Sequence, residues 1–386
     1  MSWEKTTIGD HCAVTSSKRF HLSERSDEGV PFYCSKEIIQ KVNGEEVVEC
    51  DYIREELYES VKKQFGVPQT GDLLITTRGT YGVPYIYTNT DCFYFADGNL
   101  TWLKDFDDDL LPQYLYYWVL SYEGQKKIDA IAKGTAQKAV PIAAIKLLEL
   151  RLPPIETQHQ IVAILSAYDN LIKNNRKQIK LLEEAAQRLY EEWFLNLRFQ
   201  GYENIVIVDG VPKGWKKGIL GDIAVFKRGK TITKAQVNEG NIPVVAGGLE
   251  PAYYHNKANT VSPVITVSGS GANAGYARLY NVDVFASDCS FADSKTTPNL
   301  YFVYCFLKSS KASLNALQKG AAQPHVYAKD INALKLVIPE EKYLREYCKC
   351  VSPLFEKIKI LEEQIVVSMR AYDRLLPKLM SGELEV

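Results

Sequence analysis

Two stretches of the chain carry apolar residues at coiled-coil spacing. In the first, Ile161, Leu165, Tyr168, Leu171 or Ile172, Ile179, Leu182, Ala186 and Leu189 recur along a segment free of glycine and proline from Ile155 to Gln200. In the second, Leu354, Ile358, Leu361, Ile365, Ser368, Tyr372 and Leu375 fall on alternating steps of four and three. Such steps keep one face of a helix turned to a partner helix, so each stretch predicts a long helix with a seam. Asn174 and Asn175 lie near the first seam, where they either fix register or leave at least one amide in solvent. Ser352-Pro353 has the form of an N-cap followed by proline at the first helical position, which predicts that the second helix starts afresh there after a shorter one.

Elsewhere the pattern is one of short β-type runs, Leu73–Thr77, Val83–Tyr87, Val264–Val267 and Asp283–Ala286, broken by Gly, Pro and Asn. A helix is predicted near Pro112–Ile131 and a counterpart near Leu300–Leu317. This mixture predicts compact α+β domains, each followed by a long helix.

The chain is written twice. Lys133-Gly134-Thr135-Ala136-Gln137-Lys138-Ala139-Val140 returns as Lys319-Gly320-Ala321-Ala322-Gln323-Pro324-His325-Val326, an offset of 186 residues. The same offset carries Ile145 onto Ile331, Pro153 onto Pro339, Ile179 onto Ile365 and Arg188-Leu189 onto Arg374-Leu375. Upstream, Ile8-Gly9-Asp10 matches Leu220-Gly221-Asp222 and Pro31 matches Pro243 at offset 212, while Ile75-Thr76 matches Ile265-Thr266 at offset 190. The first copy therefore holds about 22 extra residues between Pro31 and Ile75, read as a hairpin around Asn43-Gly44 and then a short helix ending near Phe65. Two heads, each with its own stalk, imply antiparallel pairing of the stalks and pseudo-twofold symmetry. A helix of ~25–28 residues is ~38–42 Å long, comparable with the ~34–36 Å between half-sites one turn apart on B-DNA.

Composition is that of an ordinary globular protein, with 46% hydrophobic and 24% charged residues. No apolar run reaches the ~20 residues of a membrane helix, and the N-terminal residues lack a signal pattern. The eight cysteines form no pair of zinc knuckles, so neither metal nor cofactor is expected, and reduced thiols fit a cytoplasmic protein. Net charge of −1 argues against nucleic acid. Locally the balance reverses: Lys213, Lys216, Lys217, Lys227, Arg228, Lys230 and Lys234 face only Asp222 in their stretch, and five lysines from Lys308 to Lys335 face only Asp330. Such patches are either solvated faces or phosphate-binding surfaces.

At this point the chain resembles the specificity subunits of type I restriction-modification enzymes. The resemblance rests on the duplication and on three motif groups. Each copy opens with a tryptophan and a Gly-Asp segment, Trp3 with Ile8-Gly9-Asp10 and Trp215 with Leu220-Gly221-Asp222. A β-run then leads to a glycine turn, Leu74-Ile75-Thr76-Thr77-Arg78-Gly79-Thr80-Tyr81-Gly82, altered in the second copy to Ser268-Gly269-Ser270-Gly271-Ala272-Asn273-Ala274-Gly275. The Lys-Gly loop follows, and then Leu150-Arg151-Leu152-Pro153-Pro154-Ile155-Glu156-Thr157-Gln158, which the second copy shortens to Leu336-Val337-Ile338-Pro339-Glu340-Glu341. The resemblance implies an α+β chain with target-recognition domains at 1–152 and 201–339, and a spacer helix at 153–200. Residues 340–386 then supply the second helix of an antiparallel coiled coil and a tail. It further implies a non-catalytic subunit that reads one split, asymmetric double-stranded DNA site. Its implied partners are two methyltransferase subunits and, for restriction, two ATP-dependent nuclease subunits.

Base reading needs donors and acceptors on exposed loops. Candidate DNA contacts in the first copy are Thr76, Thr77, Arg78, Thr80 and Tyr81 of the glycine turn, and Lys133, Gln137 and Lys138 of the Lys-Gly loop. In the second copy they are Lys227, Arg228, Lys230 and Thr231, with Ser268, Ser270 and Asn273 of the altered turn and Lys319, Gln323 and His325 of the loop. Each has a plainer reading: a hairpin with its side chains in solvent, a turn the fold requires, or a hydrogen-bonded loop histidine. The Tyr114–Trp118 cluster reads as helix core before it reads as a base-stacking platform.

Enzymatic readings lack their motifs. Gly229-Lys230-Thr231 has Ala224 where a phosphate-binding loop needs its first glycine. Pro153-Pro154 lies between Leu152 and Ile155 rather than in the Asn/Asp-Pro-Pro-aromatic motif of an adenine methyltransferase, and Asp330 with Glu340 and Lys342 is a chance-level nuclease signature. A coiled-coil adaptor binding only proteins remains the other class, and it predicts no salt-dependent affinity for duplex DNA.

Overall fold

The segment that opens each copy pairs with the segment that leads into each long helix. Glu4–Thr7 runs antiparallel to Glu149–Leu152 with Glu4 opposite Leu152, and Lys216–Ile219 runs antiparallel to Lys335–Ile338 with Lys216 opposite Ile338. The strands are shifted by 212 and 186 residues, the first and last offsets of the sequence repeat, so the repeat at its ends is one of hydrogen-bond register. These pairs belong to a computed structural model, described over residues 3–134, 138–208, 210–320 and 324–386. The chain divides into two units, Met1–Asn174 with Gln364–Val386 and Asn175–Glu363.

Each unit is built on a four-stranded antiparallel sheet of the same order. In the first unit this is Ala13–Thr15, Leu100–Lys104, Leu73–Thr76 and Pro84–Ile86; in the second it is Lys227–Arg228, Cys289–Asp293, Val264–Ser268 and Ala277–Tyr280. The central strands Leu73–Thr76 and Val264–Ser268 are buried throughout, which is why they read as unbroken β-branched and leucine runs. A second sheet contains a parallel pair in both units, Phe32 opposite Tyr94 and Val244 opposite Phe285.

The extra residues of the first copy form two helices, Ser35–Val42 and Glu55–Gln64. The second ends at Phe65 as predicted. The hairpin predicted at Asn43-Gly44 is absent. Asn43 caps the first helix, donating its N–H to the Ile39 carbonyl at 3.0 Å, and Gly44 follows at φ +75°. A left-handed glycine closes a helix as readily as it makes a hairpin turn, and the pair of residues does not distinguish the two.

The helix predicted over Pro112–Ile131 is two, Pro112–Leu120 and Tyr122–Ile131. Ser121 breaks it and caps the second, its Oγ accepting from the Gly124 N–H at 3.1 Å. A Cβ at Gly124 would lie 2.1 Å from the Trp118 carbonyl oxygen, so this corner requires glycine. The counterpart in the second unit is likewise split into Leu300–Ser309 and Lys311–Ala316.

The first long helix, Ile155–Tyr190, continues into a π-helical turn at Glu191–Leu195, and the second runs from Glu341 to Ser381. In the first unit, Ile161 and Leu165 share a core with Leu376, Leu379 and Met380 and with Tyr114, Leu115 and Trp118 of the head. In the second unit, Ala186 and Tyr190 share a core with Tyr347, Val351, Phe355 and Ile358. The start of one helix thus meets the end of the other in each unit, an antiparallel pairing. Asn175 is buried and Asn174 is exposed. No fresh start occurs at Ser352-Pro353; the helix passes through it, and Ser352 Oγ donates to the Cys348 carbonyl at 2.6 Å. An interior proline costs roughly 3 kcal/mol. Val351 and Phe355 on either side are buried, each contributing about 1.5–3 kcal/mol, and they hold the segment helical. Among the described residues, no helix is long and apolar enough to cross a membrane.

Candidate nucleic-acid interface

In both units the glycine turn and the Lys-Gly loop are tied together by backbone hydrogen bonds. In the first, Lys133 and Ala139 exchange N–H donors at 2.9 and 2.8 Å, Arg78 bridges to Ala139, and the Val140 N–H donates to the Thr77 carbonyl at 2.9 Å. In the second, Lys319 and His325 exchange donors at 3.0 and 2.9 Å, Ser270 bridges to His325, and the Val326 N–H donates to the Gly269 carbonyl at 3.1 Å. Motifs some fifty residues apart in sequence meet at the same end of each four-stranded sheet. Gln137 and Gln323 lie outside the described residues.

Within this frame the candidate residues divide. Thr76 and Thr77 are buried. Thr76 Oγ1 donates to the Thr80 carbonyl at 2.8 Å and accepts from the Val83 N–H at 3.0 Å, and Thr77 Oγ1 donates to the Gly98 carbonyl at 3.3 Å. Their hydroxyls shape the turn from inside. Arg78 and Thr80 project from it into solvent, as do Lys133 and Lys138, while Tyr81 is half-buried against the Tyr114 core. Tyr114, Tyr117 and Trp118 are themselves buried core.

In the second unit Lys227, Arg228, Lys230 and Thr231 are all exposed. Gly229 between them lies so close to the Ala286 and Ser287 carbonyls that a Cβ there would come within 2.6 Å of both. Ser268 is buried, with its Oγ donating to the Gly247 carbonyl at 3.0 Å. Ser270 and Asn273 are half-buried. His325 is half-buried and its ring lies 6.2 Å from that of Tyr327, with the two planes nearly parallel. Lys319 pairs with Asp330 at 2.8 Å.

Sequence reasoning missed two groups. Asp288 accepts from Arg228 Nη2 at 3.2 Å and also from Ser270 Oγ, joining the basic strand to the turn. A lone aspartate in a loop carries no signal until the strands are paired. The second group is Lys18-Arg19. Thr15 lies opposite Trp102, and Lys227 lies opposite Phe291 in the equivalent sheet. That register makes Lys18 and Arg19 the first unit's counterparts of Lys230 and Thr231, and both are exposed.

One group among the described residues has metal-ligand types in reach of one another, His11, Asp107 and Asp109. His11 Nδ1 is engaged with Asp107 at 2.8 Å and its Nε2 with Thr6 Oγ1 at 2.9 Å, while Asp107 Oδ1 accepts from the Asp109 and Leu110 N–H groups. The cluster is a satisfied staple between the opening segment and the loop before Pro112.

The family model described as "Type I restriction modification DNA specificity domain" matches residues 1–184 and again 212–367. A curated relative, the MjaIX specificity subunit of a type I restriction enzyme from Methanocaldococcus jannaschii, is 27% identical over 82% of this chain and 78% of its own length. A second protein of that organism, a putative type I restriction enzyme MjaX specificity subunit, is 26% identical over 82% of this chain and 79% of its own. Among solved structures, the S subunit of a type I restriction-modification system from M. genitalium aligns over 98% of this chain and 96% of its own, with a TM-score of 0.64 and 20% identity.

Proposed function

The chain belongs to the type I restriction modification DNA specificity family, and from that premise we propose that it reads a bipartite, asymmetric site on double-stranded DNA, one domain per half-site. The domains are residues 1–152 and 201–339, and the helices at 153–200 and 340–386 set the spacer and dock two methyltransferase subunits. Two ATP-dependent restriction subunits complete the restriction form. The chain works in the cytoplasm as a non-catalytic member of that assembly.

One observation carries this reading. The same joint of glycine turn and Lys-Gly loop occurs in both units, with exposed cations around it: Arg78, Lys133 and Lys138 in one, Lys227, Arg228, Lys230 and Lys319 in the other. Those cations suit phosphate clamping, which fixes register on a duplex. The side chains that differ between the two joints, Arg78 and Thr80 against Ser270, Asn273 and His325, suit different base edges. A symmetric frame with unlike surfaces reads a non-palindromic site. Near-equivalent helices present two alike docking surfaces, as two copies of one partner require.

The test is to map methylated adenines in the genome of a host expressing the chain with its cognate modification subunit. The expected result is one split motif with unlike halves and an unread spacer of ~5–8 bp, the gap left by half-sites about one turn apart. A short unbroken palindrome would sink the two-domain reading.

A further inference from the structure

The first unit contains a cavity of about 440 Å³, lined in part by Lys18-Arg19 and by none of the candidates read from the sequence. Ser17, Lys18, Arg19, Phe65, Trp102 and Lys104 line it. Three cations thus face one hollow, with Asp97 the carboxylate on its wall. Arg19 Nε donates to Asp97 Oδ2 at 2.9 Å, which aims the guanidinium and leaves its Nη groups toward solvent. Lys18 is fixed through its backbone, whose N–H donates to the Tyr94 hydroxyl at 2.8 Å. Lys104 Nζ lies 4.5 Å from the centre of the Trp102 ring. Ser17 is 9% exposed, and its Oγ is buried without a hydrogen-bond partner. A buried hydroxyl left unpaired is unfavourable, and in a basic hollow an anionic acceptor would relieve that cost.

We propose that this cavity seats one phosphate group, held by Lys18, Arg19 and Lys104 with Ser17 Oγ as a neutral donor. If the chain reads DNA as proposed above, that group is a backbone phosphate of the first half-site. The site is peculiar to the first unit. Register puts Gly229 at the place of Ser17, Thr231 at that of Arg19 and Asp293 at that of Lys104, and the backbone of Ala286 and Ser287 closes over Gly229. Phe65 comes from the end of the inserted helix that the second unit lacks. The additional residues of the first copy thereby finish a pocket rather than merely lengthen a loop.

Duplex binding by the full-length chain, co-expressed with its modification subunits, is measured against salt concentration. One lost phosphate contact reduces the slope of log affinity against log salt by ~0.9. A K18A/R19A/K104A variant is expected to show that loss while specifying the same bases. R19A alone, at an exposed side chain, and K104A alone, at a half-buried one, answer the question if the triple variant does not fold. A duplex carrying one neutral methylphosphonate, moved along the first half-site, should weaken wild-type binding at one position and leave the triple variant indifferent there. An unchanged slope together with no such position overturns the DNA assignment. Titrating the chain with inorganic phosphate, followed at the tryptophan indole N–H signals, separates the sources. If wild-type chain has no duplex affinity, the recognition reading fails, and the pocket stands only if phosphate shifts one indole signal in wild type and none in the variant. A phosphate shift without a methylphosphonate effect assigns the pocket to a free anion and likewise overturns the DNA assignment.

Discussion

Asp288 places a carboxylate among the cations proposed to meet DNA in the second unit, between Arg228 and Ser270. An exposed ion pair of this kind adds only ~0–1 kcal/mol to stability, so its value lies in aiming the guanidinium and holding the turn. D288N is therefore expected to leave the melting temperature nearly unchanged and to lower discrimination between correct and altered second half-sites about tenfold, read by competition binding. Unaltered discrimination would remove Asp288 from the recognition surface. Glu362 offers a contrasting case. Burial against the head holds its carboxyl above the usual range, opposed by the hydrogen bond from Asn281 Nδ2 at 2.8 Å and by the nearby Arg278 guanidinium, with Glu183 and Glu363 adding repulsion. The folded state keeps its proton to higher pH than the unfolded chain does, so stability falls as pH rises from the ordinary glutamate range through the raised value. E362Q keeps an acceptor for Asn281 and is expected to melt a few degrees above wild type at pH 8, with the gap closing by pH 4. A gap independent of pH would show that packing rather than charge distinguishes the two side chains.

At the scale of elements, much was legible because the repeat doubles every signal. The buried runs Leu73–Thr76 and Val264–Ser268, the two seams and the Lys-Gly loops each appear twice, and chance resemblance rarely does so in register. What stayed hidden depends on tertiary context. Asn43-Gly44 suits a hairpin and a helix end equally, and only the packing of Ile38 into the core decides between them. Thr76 and Thr77 look like loop hydroxyls until the turn closes over them. Lys18-Arg19 is diluted by Thr15-Ser16-Ser17 and becomes a counterpart of Lys230-Thr231 only through strand pairing. Ser352-Pro353 carries every local mark of a helix start, yet the helix ignores it because Val351, Phe355 and Ile358 are buried around it. That conflict between local preference and packing has a measurable size. P353A restores an N–H and removes the clash with the carbonyl four residues back. It is expected to stabilise the chain by about 2 kcal/mol, the proline cost less the entropy proline removes from the unfolded state. A drop in denaturant midpoint instead would mean that the helix needs the bend the proline imposes.

At the scale of the whole chain, the unusual feature is that the first unit is discontinuous, with Met1–Asn174 and Gln364–Val386 enclosing the second unit in sequence. Its core makes the closure physical: Leu376, Leu379 and Met380 pack with Ile8, Tyr114 and Trp118. Near the two ends of the chain, a Cβ on Gly382 would lie 3.1 Å from Trp3 Cζ2. Trp3 and Gly382 of this unit are thus neighbours, while along the sequence the order is head, helix, head, helix. A circular permutant follows from this. Joining Val386 to Met1 through a few glycines and opening the chain between Gly201 and Tyr202, in an exposed turn between the first long helix and the second head, breaks no buried contact. The permutant is expected to keep its melting temperature within a few degrees and, with its modification subunit, to methylate the same split motif. Each head would still be followed by its own helix, which is the order that register and core both require. Loss of one half of the motif, with the other retained, would mean that the joined ends had displaced the opening strand Glu4–Thr7 from Glu149–Leu152, and that this pair rather than the helices orients the first head.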